Sequence, residues 1–300
     1  MSLEKERARV LKRIRELRVE GGLSLQAAFC LLRTKTHGDA TFLARACGIP
    51  PLIAQRLDEA VAQCVIELSG VSEEKWNRTA RRRIFLPPSA GGLGLSSIEL
   101  AAPGAITASW QANLDKIRQK LWAETVADLL ANSPWFLKVQ AQCSPALRQL
   151  LGSEGVNLGD AGISEFRKTD ITKVRTSQVV EEILLDPAPE QREKAAFRSA
   201  SGKGAGGWLG IPANAQCHLG DDQWRHAVCM RLDIDIPNHT GTCKHFRPDG
   251  SSCGANLDSK GKHARACLCQ GWRVRRHESV AGVLADWCVW SRAVQSSERL

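Results

Sequence analysis

One stretch near the end of this chain cannot fold in the way a globular protein normally does. Residues 243–278 read CKHFRPDGSSCGANLDSKGKHARACLCQGWRVRRHE, with four cysteines, two histidines before the final His-Glu, and eight lysines or arginines. A packed core needs apolar side chains at regular spacing, and this composition does not supply them. The segment therefore needs another kind of cross-link if it is to be ordered.

The cysteines and histidines of this stretch have spacings that suit a metal site. His263 and Cys267 are four residues apart, so a helical turn would place both side chains on one face. Cys243 and Cys253 flank the sequence RPDG, and a hairpin closing on 248–250 would bring them nearly opposite, within two residues of register. Zinc takes four thiolate or imidazole ligands at tetrahedral corners. The sequence predicts a structural Zn2+ site of the Cys3His type, made by Cys243, Cys253, His263 and Cys267.

Other arrangements of the same segment stay open at this point. Cys269 could replace Cys267, and a shifted hairpin register would favour His245 over Cys243. Four reduced thiols in a basic loop would also fit the composition. The metal is favoured because a structural zinc contributes roughly 10–16 kcal/mol to small domains. Four protein ligands leave no position for water or substrate, so the role of this metal would be structural.

The charges around the predicted ligands favour DNA or RNA as the partner. Between residues 244 and 276 there are eight lysines or arginines and two acids, in a chain whose net charge is +9. Cations beside an aromatic ring suit phosphate contacts and base stacking. The predicted contacts in this segment are Lys260, Lys262, Arg265, Trp272, Arg273, Arg275 and Arg276. A solvated basic loop in which Trp272 merely packs is the alternative.

A second basic cluster lies in the sequence RTARRR, within a predicted helix. Its arginines are further candidates for nucleic-acid contact, although exposed arginines are common on helices. They are Arg78, Arg81, Arg82 and Arg83.

The remaining sequence predicts a mainly α protein with a small metal module. Helical periodicity and end signals indicate helices from Ser24, from Asp39, after Pro50 and from Ser72. The glycine- and proline-rich residues 86–95 predict a turn that interrupts this pattern. Further helices are expected near 116–131, 145–151, 176–185, 190–200, 221–232 and 279–290.

No residue pattern predicts an enzyme or a membrane protein. GKGAGG, with Gly202, Gly204 and Gly207, follows no strand and is soon ended by Pro212, so it does not predict a dinucleotide site. In GDD, Asp221 or Asp222 is expected to cap a helix. No apolar run approaches the ~20 residues of a membrane span, and no signal-peptide core is visible. We expect a non-catalytic chain of the nucleus or cytoplasm, without a small-molecule substrate or a membrane partner.

Three segments resemble one family. LPPSAGGLGLSSIELAAPGAITASW (86–110) is similar to the segment after the polymerase thumb of non-LTR retroelement reverse transcriptases that carry a restriction-like endonuclease. Residues 27–70 resemble the helical thumb itself. GAGGWLGIP and DGSSCGANLDSKGKHARACLCQGWRVRRHE resemble the linker and the CCHC module of that family. The resemblance implies the ligands Cys243, Cys253, His263 and Cys267 and a nucleic-acid contact during target-primed reverse transcription.

The resemblance also implies a domain order. It divides the chain into a thumb-like region (1–114), a helical linker (115–236), a CCHC zinc module (237–278) and the start of an endonuclease-like segment (279–300). No aspartate pair in an F/Y-x-D-D turn is present, and the nuclease residues would lie past 300. We therefore expect a fragment with neither active site, which binds nucleic acid. A zinc-bearing protein–protein adaptor is the alternative.

Overall fold

The computed structural model divides into two compact units between Ile234 and Asp235. It describes residues 3–122, 124–125, 128, 134, 141, 168–186, 191–210, 218–237, 239–247, 249–263, 267 and 269. Within these residues the chain is mainly α-helical, which confirms the predicted fold class. No helix in this part of the chain has the combination of length and apolar character that crossing a bilayer requires.

The first unit is built from helices joined by short turns. Its described helices are α1 (Leu3–Val19), α2 (Leu25–Cys47), α3 (Pro51–Ser69), α4 (Arg78–Ile84), α5 (Ile98–Lys120), α6 (Lys168–Leu185), α7 (Gln191–Ser199) and α8 (Asp221–Leu232). Helix α2 packs against α1, α3, α5 and α8, and α5 packs against α6. The predicted helices at 145–151 and 279–290 lie outside the described residues.

Local signals set several helix ends as predicted. Ser24 is the N-cap of α2, and its hydroxyl accepts a hydrogen bond from the Ala27 N–H at 3.3 Å. Helix α3 starts with Pro51 and ends at Gly70, whose φ of +67° is the left-handed conformation that glycine adopts without strain. Caps and prolines act within a few residues, so the sequence alone is enough to place them.

Other predicted starts are wrong. Asp39 begins no helix, because α2 runs through it with Thr36, Ala40 and Ala44 all buried. Asn77, and not Ser72, caps α4; its side chain accepts a hydrogen bond from the Ala80 N–H at 2.8 Å. The continuity of α2 goes with burial, which depends on distant parts of the chain, whereas the Asn77 cap is a local signal that the sequence interpretation passed over.

The helix predicted at 116–131 starts much earlier, at Ile98. Ser97 caps it by accepting a hydrogen bond from the Leu100 N–H at 2.9 Å. Neither Asp221 nor Asp222 caps α8, whose N-cap is Gly220. Asp221 instead accepts the first N–H of α2, from Leu25 at 2.9 Å, and pairs with Arg18. It therefore fastens α8 to the start of α2.

Small and aromatic residues let the helices of the first unit approach closely. A buried cluster joins α2, α3 and α5, and five of its eight residues are alanine: Ala40, Ala44, Ile49, Ala54, Leu57, Ile98, Ala102 and Ala105. Nearer the start of α2, Phe29 packs against Trp224 of α8, with ring centroids 5.4 Å apart and planes tilted by 52°. Tilted rings at this separation are a favourable aromatic geometry.

Two buried arginines hold the glycine-rich turn. Arg83, only 2% exposed, donates to the carbonyls of Gly91 and Arg231. Arg231 donates to the carbonyls of Gly92 at 2.8 Å, Pro88 at 2.6 Å and Ala205 at 2.7 Å. Since an irregular turn cannot pair its own carbonyls, these guanidinium groups satisfy acceptors that would otherwise be buried without partners.

A buried carboxylate fixes the start of α5. Asp58 of α3 accepts hydrogen bonds from the Ser97 hydroxyl at 2.6 Å and from the N–H groups of Ile98 at 2.8 Å and Glu99 at 3.1 Å. Burial raises its pKa from 3.8 to about 6, and these hydrogen bonds oppose that rise. The side chain thus joins α3 to α5 at the cost of burying a charge.

We predict that Gly92→Ala destabilises the first unit while Gly38→Ala does not. A methyl group at position 92 would collide with the carbonyl oxygen of Leu86 and lie 2.5 Å from that of Arg83. At position 38, inside α2, nothing lies within 4 Å. Gly38→Ala should therefore raise the free energy of unfolding by about 0.5–1 kcal/mol. Urea denaturation followed by circular dichroism measures both, and equal effects of the two changes would contradict the prediction.

We also predict a pH-dependent stability term from Asp58. Because its pKa is higher in the folded chain than in the unfolded chain, the folded state binds more protons between pH 4 and pH 6. The stability of the wild type relative to Asp58→Asn should therefore rise as the pH falls through this window, by at most about 1.4 kcal/mol per pH unit. Denaturant titrations of the wild type and of Asp58→Asn at pH 4 and at pH 6 test this. A relative stability that falls with acid would mean that the hydrogen bonds outweigh burial.

Candidate metal centre

The second unit begins with an irregular antiparallel hairpin. Bridges pair Thr242 with Asn256 and Phe246 with Ser252. The hairpin closes through a hydrogen bond of 3.0 Å from the Gly250 N–H to the Arg247 carbonyl, and Gly250 has a φ of +81°. This is the turn that the RPDG sequence predicts, although Pro248 itself lies outside the described residues.

The hairpin register places two cysteines on one face. The Cys243 N–H donates to the Ala255 carbonyl at 2.8 Å, and the Cys253 N–H donates to the His245 carbonyl at 2.7 Å. Cys243 and Cys253 are therefore offset by two positions across the hairpin. Because side chains alternate between faces with a period of two, both sulfurs leave the same side.

A carboxylate-capped turn positions the other two ligands. Asp258 accepts hydrogen bonds from the N–H groups of Lys260 at 3.1 Å, Lys262 at 2.9 Å and His263 at 2.6 Å. The Cys267 N–H then donates to the His263 carbonyl at 2.7 Å, which is the i to i−4 bond of a helical turn. His263 and Cys267 are thereby brought to one side, as the spacing predicts.

The four predicted ligands lie together. Their ligand atoms are all within 4.8 Å of one another, so Cys243, Cys253, His263 and Cys267 could hold a metal ion. The Sγ atoms of Cys243 and Cys267 are 3.7 Å apart, and those of Cys253 and Cys267 are 3.9 Å apart. Cys253 Sγ lies 3.6 Å from His263 Nε2. A disulfide would need about 2.05 Å, so these sulfurs are not covalently joined.

Three of these separations match the edges of a tetrahedron around a metal. With metal–sulfur bonds of about 2.3 Å and metal–nitrogen bonds of about 2.0–2.1 Å, tetrahedral geometry gives roughly 3.8 Å between sulfurs and roughly 3.6 Å from sulfur to nitrogen. The three separations above therefore have the size that a bound ion would impose. The residues fit a four-coordinate metal.

Backbone N–H groups support each of the three sulfurs. Cys243 accepts a hydrogen bond from the N–H of His245, Cys253 from that of Ala255, and Cys267 from that of Cys269. In each case the donor lies two residues after the cysteine. Gly254, with a φ of +62°, lets the chain turn back after Cys253. Such donors stabilise thiolates and orient them as ligands.

The sulfurs cannot all carry charge easily without a cation. The Ala255 N–H, together with the neighbouring thiols and His263, lowers the pKa of Cys253 to about 6. The pKa values of Cys243 and Cys267 are raised, because burial and neighbouring sulfurs outweigh the backbone N–H groups that lower them. A divalent cation would remove this conflict, since it favours the thiolate at every ligand.

The structure distinguishes between the alternative ligands that the sequence leaves open. The clustered set contains Cys267 and Cys243, and includes neither Cys269 nor His245 among the described residues. Cys269 lies beside the cluster, where its thiol hydrogen-bonds to Cys253. The His245 carbonyl accepts a hydrogen bond from the Cys253 N–H in the hairpin, and the His245 N–H donates to the Cys243 sulfur.

Of the seven residues in this unit that the sequence predicts to contact nucleic acid, the structure describes two. Lys260 and Lys262 are half-buried beside the ligand His263. The others lie outside the described residues: Arg265, Trp272, Arg273, Arg275 and Arg276. The sequence interpretation missed two exposed cations of the hairpin, Lys244 and Arg247, and the exposed Phe246 between them. The alternation of side chains around Cys243 could have indicated Lys244 and Phe246, which lie on the face away from the cysteines.

The arginines of α4 have different surroundings. The prediction that Arg83 contacts nucleic acid is wrong. Its side chain is buried and donates hydrogen bonds to carbonyls, so it is not exposed for such a contact. Arg81 donates to Glu73 at 2.8 Å, and Arg82 pairs with Glu182. Arg78 is exposed. Arg78, Arg81 and Arg82 line a groove of about 790 Å³ that also contains Glu59, Glu99 and Glu182, so carboxylates alternate with the cations there.

No family model, curated protein or solved structure matches this chain. The resemblance to retroelement reverse transcriptases therefore stays a prediction.

We predict that Cys253→Ser unfolds the second unit and leaves the first intact. The change removes one of four metal ligands from a segment with few apolar residues. Proteolysis should then cut between residues 240 and 269, while the helical circular dichroism signal of the first unit persists. Cys47→Ser, at an exposed cysteine of α2, is the matched control and should behave like the wild type. Equal protease resistance of the two variants would show that the cluster does not order this unit.

Proposed function

We propose that this chain is a zinc-stabilised nucleic-acid-binding protein without catalytic activity of its own. The observation that carries the proposal is the cluster of three sulfurs and one imidazole nitrogen within 4.8 Å, in a segment rich in lysine and arginine. The metal orders the segment, and the ordered segment presents its cations to phosphates.

Zinc is the metal that this ligand set favours. Three thiolates and an imidazole are soft and intermediate donors, and their separations fit a tetrahedron. Ca2+ and Mg2+ prefer oxygen ligands and higher coordination numbers. Four protein ligands also complete the coordination of zinc, which supports a structural role over a catalytic one.

The charges of the second unit support a polyanionic partner. Two acids in its described part hold turns: Asp249 accepts hydrogen bonds from the Ser251 N–H at 2.9 Å and hydroxyl at 2.6 Å, and Asp258 caps the turn before His263. Lys244 and Arg247 are exposed. Cations on a rigid module bind phosphates with little loss of conformational entropy.

The resemblance of residues 86–110 and 240–278 to retroelement reverse transcriptases supports the same partner. In that family the corresponding module lies next to the polymerase and contacts nucleic acid. We therefore propose DNA or RNA as the ligand and a location in the nucleus or cytoplasm.

The proposal predicts metal-dependent and salt-dependent binding. Elemental analysis of the reduced protein should find about one zinc per chain. Affinity for a single-stranded oligonucleotide should fall steeply between about 50 mM and about 200 mM salt, because each phosphate contact releases counterions. Removal of the metal by a chelator should abolish this binding. Fluorescence anisotropy measures each affinity.

Matched variants locate the binding surface. Lys244→Ala and Lys262→Ala should each lower the affinity and reduce the salt slope, by about 0.7 per lost phosphate contact on a single strand. Lys35→Ala, at an exposed position of α2, should change neither. A metal-loaded protein that binds no nucleic acid, or binds it equally at both salt concentrations, would contradict the proposal. That result would favour the protein–protein adaptor.

A further inference from the structure

An aromatic side chain lies open on the surface of the metal-bearing unit. Phe246 is 52% exposed; in the first unit Phe29, Trp76 and Trp224 are buried, while Phe42 and Trp122 are also exposed. Its place in the hairpin explains the exposure. Cys243 and Cys253 leave one face of the hairpin toward the cluster, so residues at even positions leave the other face.

The neighbours of Phe246 on that face are small or charged. Directly opposite the ring is Ser252, and by the same register Lys244 lies opposite Gly254. Serine and glycine are too small to cover a phenyl ring, and a lysine extends into water with its charge. The ring is therefore left uncovered by the residues that face it across the hairpin.

A cation lies beside this ring on the same face. Lys244 is two residues before Phe246, a distance of about 6.8 Å along an extended strand, and it is exposed. A flat apolar ring beside a cation is complementary to a nucleotide, whose base is flat and whose phosphate is negative. It suits an apolar protein surface poorly, because the neighbouring charge would have to lose water on contact.

We propose that Phe246 is a stacking platform for one base of a single-stranded nucleic acid, with Lys244 binding an adjoining phosphate. This inference rests on the proposed function and specifies it. A base in a duplex is already stacked on its neighbours, so its face is not available to the ring. The platform therefore selects single strands over duplexes, and it does so without reading sequence, since every base has a face that stacks.

The test compares ring variants on matched oligonucleotides. Affinities of the full metal-loaded chain are measured for a single-stranded oligonucleotide, an abasic strand of equal length, and a duplex. Phe246→Ala should weaken binding of the single strand about 5- to 150-fold. It should leave the abasic strand, the duplex and the salt slope unchanged. Phe246→Trp should retain the affinity, and Phe246→Leu, which is apolar but has no ring, should lose it as alanine does.

The zinc content of each variant provides the folding control, because Phe246 is no ligand and its loss should leave the metal bound. If the wild type binds with steep salt dependence but Phe246→Ala binds the single strand equally well, the platform is overturned and the proposed function stands. If Phe246→Ala weakens the abasic strand as much, the ring acts through the fold, and the platform is also overturned. If the wild type binds no nucleic acid, both proposals fail.

Discussion

The first unit depends on two guanidinium groups buried beneath its glycine-rich turn. Arg83 and Arg231 reach carbonyls from residues 88–92 and 205, which belong to irregular backbone. Such carbonyls have no helix or sheet to pair them, and the planar fork of a guanidinium offers several donors at once. Arg83 also lies over the ring of Phe197, at 4.8 Å from its centroid. Helices α4, α7 and α8 are thus tied to one turn, and the close approach this requires explains the glycine at position 92.

Because several arginines serve the fold of the first unit, the net charge of +9 is weaker support for a polyanionic partner than the number alone suggests. Arg83 and Arg231 satisfy carbonyls inside the first unit, and Arg82, Arg18 and Arg15 pair with carboxylates there. A charge paired with a carboxylate adds little to the attraction of a polyanion, because its field is largely neutralised, and a buried guanidinium cannot contact a phosphate directly. The total charge is therefore a weak argument for nucleic-acid binding. The argument gains strength in the described part of the second unit, where Asp249 and Asp258 hold turns and the exposed Lys244 lies on the face of an open ring.

The sequence predicted what local chemistry decides. Ser24, Pro51 and Gly70 mark helix ends because a cap, a fixed φ or a left-handed residue acts within one turn. The spacing of the cysteines and histidine and the RPDG turn are also local signals, and they predicted the four clustered residues. The continuous α2 through Asp39, the early start of α5 and the burial of Arg83 were not predictable, since each depends on residues far away in the chain. The choice of Cys267 over Cys269 needed the helical bond to the His263 carbonyl, which spacing alone does not specify.

The two units order irregular backbone by different means, and the difference bears on function. In the first unit the buried arginines hold the turn, and their long side chains occupy the space beneath it. In the second unit the cross-link lies at four inward-facing ligand atoms, each on a short side chain. Stability of that unit would then come from the metal, and its outer face need bury nothing. A phenyl ring and two cations can therefore stay exposed there without loss of the fold. A surface that binds an extended polyanion needs such exposed groups.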